Sequence, residues 1–296
     1  MELVTPSNSG GSGGNMISIS SAFGPATSLS TSRPPVNLIL LTSDSVVFYV
    51  DEATLLQASS NSFKSLLPIT AENQMQRILF MEDIPSAELE YMLQAIYNVR
   101  GNTVSAAANI QTLMRAVDRL PVYGISPGTC ISPTSHLYQY LLSSAPLHPM
   151  EIYALAAQYG METLAVTVSS HTLVLELSQI SEDLSARMGS MYLLRLFQLH
   201  TGRTDTLKRL LAAELELHYV TDICNFDKQK RLKEGWNLAV ASLSFNLRPD
   251  TTTTTIRNTI LEHTSDLTCP DCIKLRETHL NKVISEWVVA RRTITI

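Results

Sequence analysis

Val36-Asn37-Leu38-Ile39-Leu40-Leu41, Thr42-Ser43-Asp44-Ser45 and Val46-Val47-Phe48-Tyr49-Val50 form the continuous stretch on which the fold turns. Two apolar runs flank a short polar turn, the pattern of paired strands in a hairpin. Helical spacing then takes over. Ala53, Leu55, Leu56, Ser59 and Phe63, followed by Leu66 and Leu67, recur at three and four residues, so two short helices are expected before Pro68. Arg77 to Met81 reads as a third strand. Pro85-Ser86 opens a helix whose Leu89, Met92, Leu93, Ile96 and Tyr97 share one face.

The run "VNLILLTSDSVVFYVDEATLLQASSNSFKSLL" (36–67) followed by "ILFMEDIPSAELEYMLQAIYN" (78–98) resembles the BTB/POZ domain, in which a strand hairpin, a two-helix turn, a third strand and a helix ending in Tyr occur in this order. The resemblance implies an α+β domain, a short sheet with a helical cluster, and a role in binding other proteins, either another BTB chain or a different partner. At two positions the chain departs from the family: Asn37 stands where an Asp is usual in the first strand, and Asp51 where a His usually precedes the first helix. Both family residues are usually structural. The longer arrangement, with "MEIYALAAQYGMETLA" (150–165) and "MGSMYLLRLFQLHTGR" (188–203), is similar to uncharacterised BTB-containing proteins of fungi.

Composition narrows the function classes. With 296 residues, 45 % of them hydrophobic and 17 % charged, the chain can bury a substantial core. A net charge of −5 with dispersed Lys and Arg argues against nucleic acid as partner, and the one basic cluster, Lys228, Lys230, Arg231 and Lys233, reads as a solvated helix start. No run reaches the ~20 apolar residues of a membrane span. No secretory signal or Asn-x-Ser/Thr acceptor is read, and four cysteines make no disulfide framework, so the expected location is cytoplasmic or nuclear.

Three regions are expected. Residues 1–33 read as a Ser/Gly-rich disordered tail, its "NSGGSGGN" a flexible linker without the Lys-Ser/Thr of a phosphate loop. Since family dimers commonly use a helix and strand ahead of the first core strand, such a tail leaves a monomeric or heterotypic module at least as reasonable as a swapped homodimer. Residues 34–127 form the BTB/POZ-like domain, closed by a helix carrying Ile110, Leu113, Met114, Val117 and Leu120, with the Pro/Gly turn at Pro127-Gly128 as boundary. Residues 128–296 read as an all-helical region of stacked helix pairs. Its helices carry Ile152, Leu155, Ala156 and Tyr159 up to Gly160; Tyr192, Leu193, Leu196, Phe197 and His200 up to Gly202; then Leu207, Leu210 and Leu211; Leu232, Trp236, Ala239, Val240 and Leu243; and Leu280, Val283, Ile284, Trp287 and Val288. The β-branched run Thr251 to Thr255 reads as a loop.

Cys269-Pro270-Asp271-Cys272 is the one compact arrangement of reactive side chains. Two thiolates at this spacing make half of a tetrahedral zinc site, with His263 and His279 flanking them, although at offsets that match no standard finger. A thiol pair at a helix N-terminus also suits redox chemistry, although such motifs ordinarily follow a strand. Cys130 and Cys224 have no paired spacing, and the leading reading of the Cys269/Cys272 pair is structural or incidental. His136, His148, His171, His200, His218, His263 and His279 stand in no ligand frame. Glu82-Asp83 lies at a strand end and Glu88-Glu90 on the outer face of a helix, so no carboxylate pair faces a common substrate. No catalytic, cofactor-binding or metal residue is therefore assigned, and no cofactor is expected.

The expected function is a non-catalytic protein–protein interaction module. Within it the resemblance permits a substrate adaptor of a cullin ubiquitin ligase, favoured by the helical extension that family adaptors often carry, or a transcription-associated scaffold. A metal- or thiol-dependent protein using Cys269 and Cys272 is the alternative from another class.

Overall fold

The computed structural model describes residues 17–25, 35–68, 77–99 and 110–296. They divide into two compact units, one up to Tyr140 and one from Leu141.

In the first unit β2 (Leu38–Thr42) and β3 (Val46–Val50) form the expected hairpin, Leu38 opposite Val50 and Leu40 opposite Phe48. Side chains alternate across a strand, and Leu38, Leu40, Phe48 and Val50 are the buried set. Asp44 in the hairpin turn accepts from the Ser86 amide (2.9 Å) and hydroxyl (2.6 Å), so the turn also holds the start of a later helix. Burial acts to raise the Asp44 pKa, but these bonds and one from Thr42 outweigh it and hold the carboxyl below its usual value.

α1 (Glu52–Ala58) follows, capped by both residues that depart from the family. Asp51 accepts from the Thr54 amide at 2.8 Å, and Asn37 accepts from the Glu52 amide at 2.8 Å. Helix N-termini leave such amides without intrahelical partners, which is why both positions take short polar side chains. The Tyr97 hydroxyl completes the corner, accepting from the Asp51 amide at 2.9 Å and lying 3.1 Å from its carbonyl.

The second expected helix is a short turn, α2 (Ser62–Ser65), with φ between 53 and 61° at all four residues, so it winds left-handed. Left-handed backbone costs roughly 1–2 kcal/mol per residue. Local bonds offset the cost: Ser59 Oγ accepts from the Phe63 amide (2.7 Å), Asn61 Oδ1 accepts from the Lys64 amide (2.8 Å), and Phe63 packs fully buried on Tyr123, ring centres 4.7 Å apart.

β4 (Ile78–Met81) pairs parallel with β2, and α3 (Ser86–Tyr97) and α4 (Ile110–Arg119) bury the expected faces, Leu89, Met92 and Leu93 on one, Ile110, Leu113, Met114 and Val117 on the other. Glu88 is a correction. It is not on an outer face but 4 % exposed, bonded to Arg115 at 2.8 Å and Arg119 at 2.5 Å.

The tail expected at residues 1–33 also needs correction at residues 17–25. β1 (Ser18–Ile19) pairs parallel with β3, giving the sheet order β1-β3-β2-β4, and Phe23 is buried beside Phe48 and Tyr97 at 6.2 and 5.7 Å. Ser20, Phe23 and the bonds from Ser20 to Val47 and from Tyr49 to Phe23 supply the burial and pairing that a Ser/Gly composition hides. A strand therefore does precede the core hairpin. Residues 1–16 and 26–33 of that expected tail lie outside the described residues, as does Ala106-Ala107-Ala108, which in the sequence reads as leading into the helix of Ile110.

Past α4 the chain makes a 3-10 turn (Leu120–Tyr123) and a short helical turn, α5 (Pro127–Cys130), then α6 (His136–Ser144), which carries it across the division between the units.

The second unit is all helical. α7 (Pro149–Gln158) and α8 (Glu162–Thr172) form a hairpin around Gly160, whose φ of 63° suits glycine at a helix end. α9 (Glu182–Leu211) runs through Gly202, where an end was expected, and breaks instead at Gly189 (φ 69°). Burial of Leu207 and Leu211 beyond Gly202 outweighs the roughly 1 kcal/mol penalty of an interior glycine. α10 (Phe226–Phe245), α11 (Thr253–His263) and α12 (Pro270–Val289) close a core of Leu207, Leu211, Trp236, Leu243, Ile260 and Trp287. Of the Thr251 to Thr255 run expected as a loop, Thr253 to Thr255 instead begin α11, with Thr252 as its N-cap and Thr251 before it. Thr252 caps it by accepting from the Thr255 amide at 3.1 Å, and buried Ile256 and Ile260 outweigh the weak helix propensity of threonine.

Arg203 fastens the far end of this core. Its guanidinium donates to the carbonyls of Pro249 (2.7 Å), Ala290 (2.9 Å) and Arg291 (2.9 Å) and lies 4.0 Å over the Trp287 ring.

Candidate metal centre

α12 supplies half of a sulfur-rich cluster. Cys269 is its N-cap, Pro270 its first residue and Cys272 lies in its first turn. The Cys272 backbone N–H, with that of Asp271, faces the Cys269 sulfur and brings its thiol below the usual value, whereas burial raises Cys272 and Cys224.

The other half comes from the α9–α10 connection. Thr221 and Cys224 exchange N–H···O bonds at 3.0 and 3.1 Å, closing a tight turn that buries Cys224 while Tyr219, Val220 and Ile223 stay exposed. Asn225 then caps α10, accepting from the Lys228 amide at 3.1 Å. Nδ1 of His218 lies 2.7 Å from the Tyr219 carbonyl, an acceptor, so Nδ1 carries the proton and Nε2 keeps a lone pair. Buried Gln229 donates to the His218 carbonyl at 2.8 Å and steadies the loop.

That lone pair faces sulfur. His218 Nε2 is 3.2 Å from Cys272 Sγ and 3.7 Å from Cys269 Sγ, and Cys224 Sγ is 3.6 Å from Cys272 Sγ. All four donor atoms lie within 4.8 Å of one another. A tetrahedral zinc ion, with Zn–S about 2.3 Å and Zn–N about 2.0 Å, sets its S···S edges at about 3.8 Å and its S···N edges at about 3.5 Å. Three of the six edges, at 3.2, 3.6 and 3.7 Å, lie close to those values, and the others stay within 4.8 Å. With four protein donors the set is closed, the form of a structural site rather than of one that holds a reactive water.

Of the residues singled out in the sequence, Cys269 and Cys272 come together here. His263 ends α11, and His279 packs edge-on against Trp236 at 4.8 Å, its pKa lowered by burial. Cys130 belongs to the first unit. Cys224, which has no paired spacing in the sequence, and His218, one of the dispersed histidines, complete the group and are the two donors that the sequence does not single out. The available signal was His218 and Cys224 recurring at short range ahead of the Cys-x-x-Cys. A groove of about 500 Å³ runs beside the cluster, lined by Glu214, Glu216 and Asp271 as well as Lys274 and Lys282, a mixed lining that selects no single charge.

No curated protein and no solved structure matches the chain. The family model of the BTB/POZ domain matches residues 30–129, the span that holds the hairpin, α1, β4, α3 and α4 of the first unit. The chain therefore carries a BTB/POZ domain, a protein-interaction module, and its C-terminal region is all helices.

Proposed function

We propose that this protein is a non-catalytic adaptor or scaffold, in which the BTB/POZ domain, residues 34–127, binds one protein and the helical region, residues 128–296, supports that contact or binds a second. The supporting observation is the BTB/POZ match over residues 30–129 on a sheet-and-helix unit. The partner we favour is a cullin, with the protein serving as a substrate adaptor of a ubiquitin ligase in the cytoplasm or nucleus; the helices that follow the domain favour this over a transcription-associated scaffold. No helix among the described residues is long and apolar enough to cross a membrane.

Capture of the tagged full-length chain from cells, with immunoblotting for cullins, tests the reading. Enrichment above a mock bait supports the adaptor. Absence of cullin with recovery of other BTB chains or transcription factors favours the scaffold.

A further inference from the structure

We propose that His218 Nε2 and the Sγ atoms of Cys224, Cys269 and Cys272 bind one zinc ion in a closed tetrahedral site that fastens the α9–α10 connection to the start of α12. The convergence of four donor atoms within 4.8 Å, three of their six edges at 3.2, 3.6 and 3.7 Å and so close to those of a zinc tetrahedron, carries the proposal, since it draws on residues as far as 54 apart in sequence.

Three further features agree. The outer-sphere bond from His218 Nδ1 to a backbone carbonyl is the arrangement that orients a ligating imidazole and fixes its tautomer. The connection between α9 and α10 buries little of its own, chiefly Leu215 and Cys224, while Tyr219 is 95 % exposed, so burial alone does not offset the entropy of ordering it. A metal bond does. Finally, the small core at this end consists of Cys224, Cys269 and Cys272 with Leu232, so sulfur occupies positions where aliphatic side chains would serve if packing were the purpose.

Thiolate and imidazole donors select zinc over magnesium or calcium, which require oxygen ligands. On binding, up to three thiol protons leave to solvent and the neutral imidazole adds none, leaving a site of net charge −1. The Lys228 ammonium, held 2.9 Å from the Ile223 carbonyl, supplies positive charge nearby.

The test uses full-length protein without a polyhistidine tag, purified without chelator and assayed for metal by mass spectrometry. Wild type should carry close to one zinc per chain, and replacement by cobalt should produce the absorption bands of a tetrahedral cobalt thiolate. Cys224→Ser and Cys272→Ser should each lose most of the metal, His218→Cys should keep it, and Cys130→Ser should not change it. The wild-type measurements do not depend on whether a variant folds. Zinc near zero in wild type, a Cys224–Cys272 disulfide under non-reducing conditions, or undiminished zinc in Cys272→Ser would overturn the proposal.

Discussion

The side-chain oxygen of Asn37, just ahead of β2, accepts from the backbone amide of Glu52, fifteen positions along the chain at the start of α1, at 2.8 Å. With Asp51 accepting from Thr54, the two residues that depart from the BTB/POZ pattern satisfy two of the open amides of one helix.

Loss of either cap should therefore be felt locally. Asn37→Ala and Asp51→Ala are each expected to destabilise the first unit by about 0.5–2 kcal/mol, and Asn37→Asp, which keeps the acceptor, to be nearly neutral. Hydrogen exchange at the Glu52 and Thr54 amides reads the effect. Unchanged protection at Glu52 in Asn37→Ala would show that the bond contributes nothing.

Glu88 joins α3 to α4 through Arg115 and Arg119, with its own carboxylate buried and both guanidiniums partly in solvent. Glu88→Ala leaves two cations without their shared partner, and a loss of about 1–3 kcal/mol in urea unfolding is expected. The exposed pair Lys230–Glu234 is the internal contrast. Lys230→Ala should shift stability by less than about 0.5 kcal/mol.

Two glycines in helices should respond with opposite signs. A Cβ at Gly202 meets nothing within 4 Å, so Gly202→Ala should stabilise α9 by about 0.5–1 kcal/mol. A Cβ at Gly235 would sit 2.5 Å from the His263 carbonyl oxygen, so Gly235→Ala should force α10 from α11 and lower the melting temperature. Calorimetry of both variants checks the pair.

His200 gives the second unit a pH dependence. Burial, which outweighs the opposing pull of the Asp250 carboxylate, lowers its pKa to about 4, from 6.5. Between these values the unfolded chain binds the proton and the folded chain does not, so this contribution is complete above 6.5 and is lost as pH falls toward 4. Replacement by Gln should flatten the fall in denaturant midpoint between pH 6.5 and 4.5 relative to wild type. A slope equal to that of wild type would remove His200 as its source.

Much of the first unit was legible because its signals are local. The alternation in β2 and β3 and the apolar face of α3 report which side chains leave water, and they did so with nearly the observed limits. Three of the misreadings share one cause. Phe23 in a Ser/Gly-rich segment, Thr252 and Thr255 at the start of α11, and Gly202 inside α9 all have unfavourable or neutral local preferences, and burial of a neighbour decides each against the local signal. Glu88 was misplaced for the converse reason: a charged residue is buried when a cation from another helix arrives to pair with it, and α3 alone does not contain that cation.

The sequence alone determined the order of elements from β2 to α4, the buried face of most of them and the resemblance to a partner-binding domain, since these follow from the period of apolar residues along one segment. The tertiary structure alone decided that His218 and Cys224 meet Cys269 and Cys272. Periodicity tells which face of an element turns inward but not which distant face it meets. A four-donor site drawn from two connections exists only once helix packing has closed the chain between them.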